Sequence, residues 1–230
     1  MRGPTASRPL LRRGAYLAAV AGLVAAAARP TVVREGPALE FVFVFDVSLS
    51  MATEDVRGPA GVHSRLDAAK DAFRAVAPHL PRSARVTLAG AAGQTAQVFL
   101  LSHPVTDADA LDAALRVLEW DNVWDVGSRI DLVLRDVAAQ AKGSRVFSAA
   151  NRRRLLSPPF NLVFFSDGGG PDVSDAVLGD AARWLREHAR VTLVGVGEPV
   201  ESAVPEFRRA DARDCLRDET GRCLVSRLDE

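Results

Sequence analysis

Two mostly apolar runs, each followed within two residues by an aspartate, stand out in the pattern of hydrophobic and polar positions. Residues 41–45 read Phe-Val-Phe-Val-Phe before Asp46, and residues 160–165 precede Ser166 and Asp167. Such runs, rich in β-branched and aromatic residues, are typical of strands buried on both faces in the middle of a parallel sheet. We therefore predict two central strands whose carboxyl ends each carry a carboxylate.

Helical periodicity alternates with shorter strands along the rest of the chain. Helical spacing of apolar residues occurs in 64–77, 107–118, 129–141 and 173–188, and strand composition occurs in 85–91, 96–101 and 190–196. Ser64 and Thr106 are the expected caps of the first two helices, and the glycines and proline of residues 53–63 predict a loop. The alternation predicts an α/β fold with a doubly wound, mostly parallel, Rossmann-like sheet and helices on both faces.

Hydroxyl groups accompany the first carboxylate at alternate positions. Asp46, Ser48 and Ser50 would point the same way in an extended chain, because residues two apart share a face. Three oxygen ligands would then meet at the carboxyl end of a central strand, which is where ligands bind in open α/β sheets. With no His or Cys nearby, the set suits Mg²⁺ or Ca²⁺ better than zinc. Taken alone, these residues also fit a turn that caps the strand.

The sequence Phe-Asp-Val-Ser-Leu-Ser-Met at 45–51, with Ser-Arg-Leu-Asp-Ala-Ala-Lys at 64–70, resembles the start of the metal-ion-dependent adhesion site of von Willebrand factor type A (VWA) domains. It is most similar to the bacterial membrane-tethered branch, which includes the Bat proteins and the VWA proteins encoded beside methanol dehydrogenase. The resemblance implies the VWA fold. VWA domains usually continue with a further strand and helix after the position of Val196, whereas residues from 197 onward are polar and irregular here, so we expect that strand and helix to be missing.

Two further segments complete the metal site in VWA domains, one with Gly-Thr and one with Thr-Asp-Gly. Gly127-Ser128 and Ser166-Asp167-Gly168 stand at those places in this chain. The resemblance therefore implies a metal site made of Asp46, Ser48, Ser50, Ser128 and Asp167. Serine keeps the hydroxyl oxygen of threonine, and Ser128 either binds the ion or only caps the helix that follows it.

Basic residues precede an apolar stretch at the amino terminus. Arginines at 2, 8, 12 and 13 come before the apolar residues 15–28, which is the layout of an export signal. The stretch is shorter than the roughly 17–25 residues of a full membrane span. A cleaved signal peptide and an anchor in the inner membrane both remain open, and both place the following domain in the periplasm. We expect a signal or anchor at 1–30, a linker at 31–38, a VWA domain at 39–198 and an irregular extension at 199–230.

Two cysteines, Cys215 and Cys223, flank a Glu-Thr-Gly turn signal in that extension. A hairpin would bring their sulfurs into disulfide range in an oxidising compartment, and two unpaired thiols in a loop are the alternative.

The overall charge is balanced at 29 basic and 29 acidic residues, so the protein has no net positive charge that would attract nucleic acid. The arginine-rich residues 152–154 lack interleaved aromatic residues, and we expect no nucleic-acid partner.

The expected function is a binding module and not an enzyme. A Mg²⁺ ion, or Ca²⁺ or Mn²⁺, would take an Asp or Glu from another protein into its shell, and the resemblance implies a partner such as a periplasmic enzyme during assembly, for example methanol dehydrogenase. One alternative is a metal-dependent hydrolase or phosphatase with Asp46 as nucleophile, but its usual second acid is replaced by Ser48. Another is a metal-free VWA scaffold. The four histidines, expected in loops or at helix ends, do not form a triad motif.

Overall fold

A five-stranded sheet with the first apolar run in its centre organises the computed structural model. The structure describes residues 39–58, 61–120, 129–141, 159–168, 175–204, 215–226 and 228. All of these residues belong to the unit that begins at Ala38.

Strands and helices alternate through most of the described chain. The strands are β1 (Glu40–Asp46), β2 (Glu54–Gly58), β3 (Gly61–Ser64), β4 (Arg85–Ala92), β5 (Thr95–Pro104), β6 (Phe160–Ser166), β7 (Ala189–Gly195), β8 (Ser202–Ala203) and β9 (Val225–Ser226). The α-helices are α1 (Arg65–Val76), α2 (Ala108–Val117), α3 (Ile130–Ala141) and α4 (Asp175–His188), and short 3-10 turns cover Leu49–Ala52 and Ala77–His79.

The main sheet has the order β5-β4-β1-β6-β7. Strands β4, β1, β6 and β7 are parallel to one another, and β5 is antiparallel to β4. This arrangement confirms the predicted mostly parallel α/β sheet. Among the described strands β7 forms one edge of this sheet, and Leu193 on that strand is 62% exposed.

Helices cover both faces of the sheet, as the continuous apolar run of β1 requires. Phe43 and Phe45 point to one face, where they pack in a core with Phe73 of α1. Val42 and Val44 point to the other face and pack in a second core that includes residues of α3 and α4. A strand buried on both sides has no polar face, which is why its sequence is apolar at consecutive positions and not at alternate ones.

The predicted loop at residues 53–63 was wrong, because most of it forms a β-hairpin. Strands β2 and β3 are antiparallel, with Arg57 opposite Val62 and Gly58 opposite Gly61. The glycines sit at the turn end of this hairpin, and the strands are too short and too polar to show an apolar alternation. His63 and His103 accordingly lie in β3 and β5, and not in loops or at helix ends as expected.

The two predicted helix caps had different outcomes. The Ser64 hydroxyl accepts a hydrogen bond from the Asp67 amide at 3.0 Å, which confirms Ser64 as the cap of α1. The cap of α2 is Asp107 and not Thr106, since the Asp107 carboxylate accepts from the Ala110 amide at 3.2 Å. Both arrangements satisfy a backbone donor of the first helical turn.

The carboxyl-terminal region contains a small two-stranded sheet where irregular chain was expected. Strand β8 pairs antiparallel with β9, and a disulfide joins Cys215 to Cys223 with 5.4 Å between their Cα atoms. Within the described ranges, no helix has the length and apolar character needed to cross a membrane. The predicted signal or anchor at residues 1–30 lies outside the described residues.

Candidate functional site

Asp46 ends the central strand with a fully buried carboxylate. One carboxylate oxygen, Oδ1, accepts a hydrogen bond from the Ser48 amide at 2.9 Å, and Oδ2 accepts from the Ser166 hydroxyl at 2.8 Å. Burial of a carboxylate is costly unless partners compensate its charge, and neutral donors do so only in part. These two hydrogen bonds hold the Asp46 carboxylate in one orientation at the carboxyl end of β1.

Two serine hydroxyls that follow Asp46 in the chain contact each other. The Oγ atoms of Ser48 and Ser50 are 3.1 Å apart, and Ser48 is buried. The chain is not extended throughout this stretch, because residues Leu49–Ala52 form a 3-10 turn. The turn nevertheless brings the two hydroxyls together, so their proximity comes from the turn and not from the strand periodicity assumed in the prediction.

Asp167 lies at the same edge of the sheet as Asp46. Strands β1 and β6 are parallel neighbours, and Ser166 at the end of β6 donates its hydroxyl hydrogen bond to Asp46. The Asp167 carboxylate is fully buried, and its Oδ2 accepts from the Arg65 guanidinium at 2.7 Å. The second acid of the candidate site is thus paired with a cation of the protein itself.

Ser128 lies outside the described residues, so the structure gives no position for its hydroxyl. The described chain resumes at Arg129, whose amide donates to the Gly93 carbonyl at 2.8 Å. Helix α3 therefore begins beside the turn that follows β4. Asp131 in its first turn is fully buried and forms an ion pair with Arg129 at 2.8 Å.

Arg65 is the functional candidate that the sequence analysis missed. Its side chain is fully buried and forms ion pairs with Asp55 at 2.5 Å and Asp167 at 2.7 Å. Burial by itself lowers the pKa of Arg65, but the hydrogen bonds and negative charge of Asp55 and then Asp167 outweigh it and raise the pKa above its ordinary value. A signal was present: Arg65 lies four and eight residues before the buried Ala69 and Phe73, on the same face of the helix.

The oxygen atoms of the candidate site suit a hard cation. In the part of the chain that the structure describes, no group of three or more His, Cys, Asp or Glu side chains could hold a metal, so a cation here would need hydroxyl ligands as well as a carboxylate. Carboxylate and hydroxyl oxygens are ligands that Mg²⁺ accepts in proteins, together with water. Asp46, Ser48 and Ser50 provide these oxygens close together, and their chemistry fits the expected ion.

Gly197 makes room for the Arg65 guanidinium. Its φ is +135°, and a Cβ atom built at this position would lie 2.7 Å from Nε of Arg65. We expect Gly197→Ala to lower the free energy of unfolding by about 2–3 kcal/mol, because the variant is strained and displaces an anchored side chain. Urea unfolding followed by circular dichroism measures this loss. Gly179→Ala, at an open position in α4, is the control and should stabilise by up to about 1 kcal/mol; equal losses in both variants would contradict the packing argument.

A mostly parallel sheet with helices on both faces defines an α/β domain, and the carboxylates and hydroxyls lie at the carboxyl edge, where such sheets commonly bind ligands. The sequence profile of the von Willebrand factor type A domain family matches residues 41–169, which is more than half of the chain. The chain belongs to this family. VWA domains are generally scaffold and adhesion modules and not catalysts.

Two solved bacterial structures share the fold. BatB from Bacteroides thetaiotaomicron has 21% sequence identity and a TM-score of 0.61, and the match covers 83% of this chain and 81% of that one. An aerotolerance-related membrane protein from Bacteroides fragilis also has 21% identity, with a TM-score of 0.60 and coverage of 83% and 82%. A search of curated proteins found no match.

Proposed function

We propose that this protein is a metal-ion-dependent binding module that captures a carboxylate of another protein. The observation that carries the proposal is the buried Asp46 carboxylate, which accepts from the Ser48 amide and is followed by the paired hydroxyls of Ser48 and Ser50 at the carboxyl end of the central strand. The hydrogen bond from Ser166 to Asp46 brings the end of β6 to the same point. Asp167 and, by family resemblance, Ser128 complete the proposed site.

A bound Mg²⁺, Ca²⁺ or Mn²⁺ ion would supply an open coordination position that an Asp or Glu of the partner can take. The protein's own residues prepare this position. The Ser48 amide and the Ser166 hydroxyl fix the orientation of the Asp46 carboxylate. Arg65 holds the Asp167 carboxylate in one place. A partner contact of this kind is charge-assisted and needs little buried area.

The proposed location is the periplasmic side of the bacterial inner membrane. The basic and apolar amino-terminal residues support export, and one of the similar structures is described as a membrane protein. Placement in the Bat-like branch is also part of the proposal, as is a role in the assembly of a periplasmic enzyme such as methanol dehydrogenase. That role is supported by the resemblance of the motif alone.

Calorimetric titration with Mg²⁺, Mn²⁺ and Ca²⁺ tests the metal site directly. We expect the unaltered chain to bind at least one of these ions and Asp46→Ala to weaken that binding by more than about 100-fold, since a direct ligand should cost more than the 10–100-fold loss typical of supporting residues. Asp180→Ala removes a carboxylate that is 92% exposed on α4 and should leave binding unchanged. Equal affinities of Asp46→Ala and Asp180→Ala would refute the proposed site.

Capture from a periplasmic extract tests the binding role. A partner should be retained by the immobilised chain in Mg²⁺, be released by EDTA, and fail to bind Asp46→Ala. The same partner retained equally with and without chelator would show that the metal is not required.

The ion pair between Arg65 and Asp167 favours a second candidate, a VWA scaffold that binds partners without a metal. Arg65 already neutralises one acid of the site. In that case Asp46→Ala and EDTA would leave partner binding intact, and the calorimetric titration would show no heat of binding for any of the three ions. The same experiments therefore separate the two candidates.

A further inference from the structure

Strand β9 lies against the candidate metal site although it is far from that site in the sequence. The Ser226 hydroxyl accepts from Nη1 of Arg65 at 2.8 Å, and the Ser226 carbonyl accepts from Nη2 at 3.2 Å. The same hydroxyl donates to Oδ2 of Asp167 at 3.3 Å. One serine thus contacts both members of the buried ion pair.

Several links hold Ser226 in this position. Ser226 pairs with Ser202 across the β8–β9 sheet, and the Val204 amide donates to the Leu224 carbonyl at 3.0 Å. The disulfide ends at Cys223, three residues before Ser226. Two-residue strands pair weakly by themselves, so the covalent link and the contacts with Arg65 together keep the segment in place.

These contacts restrict how the Asp167 carboxylate can turn. Its Oδ2 receives one hydrogen bond from Arg65 and one from Ser226, while Ser226 also occupies two N–H groups of Arg65. Residues that orient a metal ligand in this way typically change metal affinity by about 10–100-fold when they are removed.

We propose that Ser226 is a positioning residue of the metal site and that the Cys215–Cys223 disulfide holds it there. The inference rests on the proposed function, since it concerns the affinity of the same site. The carboxyl-terminal hairpin, which comprises residues 215–226, is then a part of the site. When the disulfide is open, Ser226 leaves Arg65 and Asp167, and the site binds its cation more weakly.

Manganese binding to the full chain, measured by electron paramagnetic resonance, tests this proposal. Ser226→Ala should weaken binding roughly tenfold, Ser226→Thr should restore it because the hydroxyl returns, and the C215S/C223S double variant should match Ser226→Ala. Adding Ser226→Ala to the double variant should cause no further loss, because both changes remove the same contact. Ser202→Ala is the matched control: its hydroxyl donates to the Val200 carbonyl, and binding should not change.

Hydrogen exchange of residues 215–226 provides a readout that does not need a metal. Ser226→Ala and the double cysteine variant should raise the exchange rate of this segment roughly tenfold, and Ser202→Ala should not. If the unaltered chain binds manganese and all variants bind it equally, the positioning role is overturned while the proposed function stands. If the unaltered chain binds no manganese, the proposed function fails, and unchanged exchange in Ser226→Ala would then overturn the docking of the hairpin as well.

Discussion

Replacing Arg65 with methionine should lower the free energy of unfolding by about 3–5 kcal/mol, because it leaves two buried carboxylates without their cation. The side chains of Arg65 and Asp167 are fully buried, and that of Asp55 is 6% exposed. Methionine keeps an unbranched apolar stem and removes the charged guanidinium. Urea denaturation followed by circular dichroism measures the loss.

Arg74→Met is the matched control on the same helix. Arg74 forms ion pairs with Asp71 and Asp112, but all three side chains are substantially exposed. Exposed pairs contribute only about 0–1 kcal/mol, so this variant should be nearly as stable as the unaltered protein. Adding Asp167→Asn to Arg65→Met should recover part of the loss, since one of the uncompensated charges disappears. Equal losses in the two methionine variants would show that the burial of the ion pair is not what stabilises the protein.

Truncating Phe45 to alanine should cost about 3–5 kcal/mol, the usual range for a fully buried phenylalanine. Phe45 has no exposed surface, and its ring lies 5.1 Å from that of Phe165 and 6.2 Å from that of Phe73, measured between ring centroids. It therefore links β1, β6 and α1 directly below the candidate site. Thermal or urea unfolding measures the effect.

Phe41→Ala on the same strand provides the comparison for Phe45→Ala. Phe41 is only partly buried and packs at the margin of the same core. Its truncation removes less apolar area from the interior, and the loss of stability should be clearly smaller. A loss as large as that of Phe45→Ala would mean that strand propensity, and not core packing, dominates at both positions.

Arg65→Met and Phe45→Ala together also distinguish an effect on stability from an effect on metal binding. Phe45 packs in the core against Phe165 and Phe73, whereas Arg65 contacts the Asp167 carboxylate directly. At a temperature where both variants remain folded, the metal affinity should therefore respond to Arg65→Met more than to Phe45→Ala. This comparison shows whether the guanidinium is part of the site or only part of the core.

Local patterns were sufficient for the strands and helices that bury a large apolar surface. The run at 41–45 predicted β1, and the helical spacing of Leu66, Ala69 and Phe73 predicted α1 with its Ser64 cap. The hairpin of β2 and β3 was missed because its strands are short and half-exposed, and their pairing is carried by the backbone. Backbone pairing leaves no pattern in the side chains when neither face is buried.

The candidate site, too, was predictable from the sequence only in part. Asp46, Ser48 and Ser50 are close together in the chain, and Asp167 could be placed at the same edge because parallel strands end together. No such rule leads to the ion pair of Arg65 with Asp167, whose partners are 102 residues apart. The contact of Arg65 with Ser226 spans 161 residues.

The amino-acid sequence by itself determined the α/β sheet, its central strand and the acids and hydroxyls at the end of that strand, because burial and ligand chemistry depend on residue types at short spacing. Only the tertiary structure decided that Asp167 is paired with a buried arginine and that a disulfide-linked hairpin reaches the same carboxylate. These contacts depend on how the sheet, α1 and the carboxyl-terminal strand pack in space, and packing over such distances leaves no periodic signal in the chain.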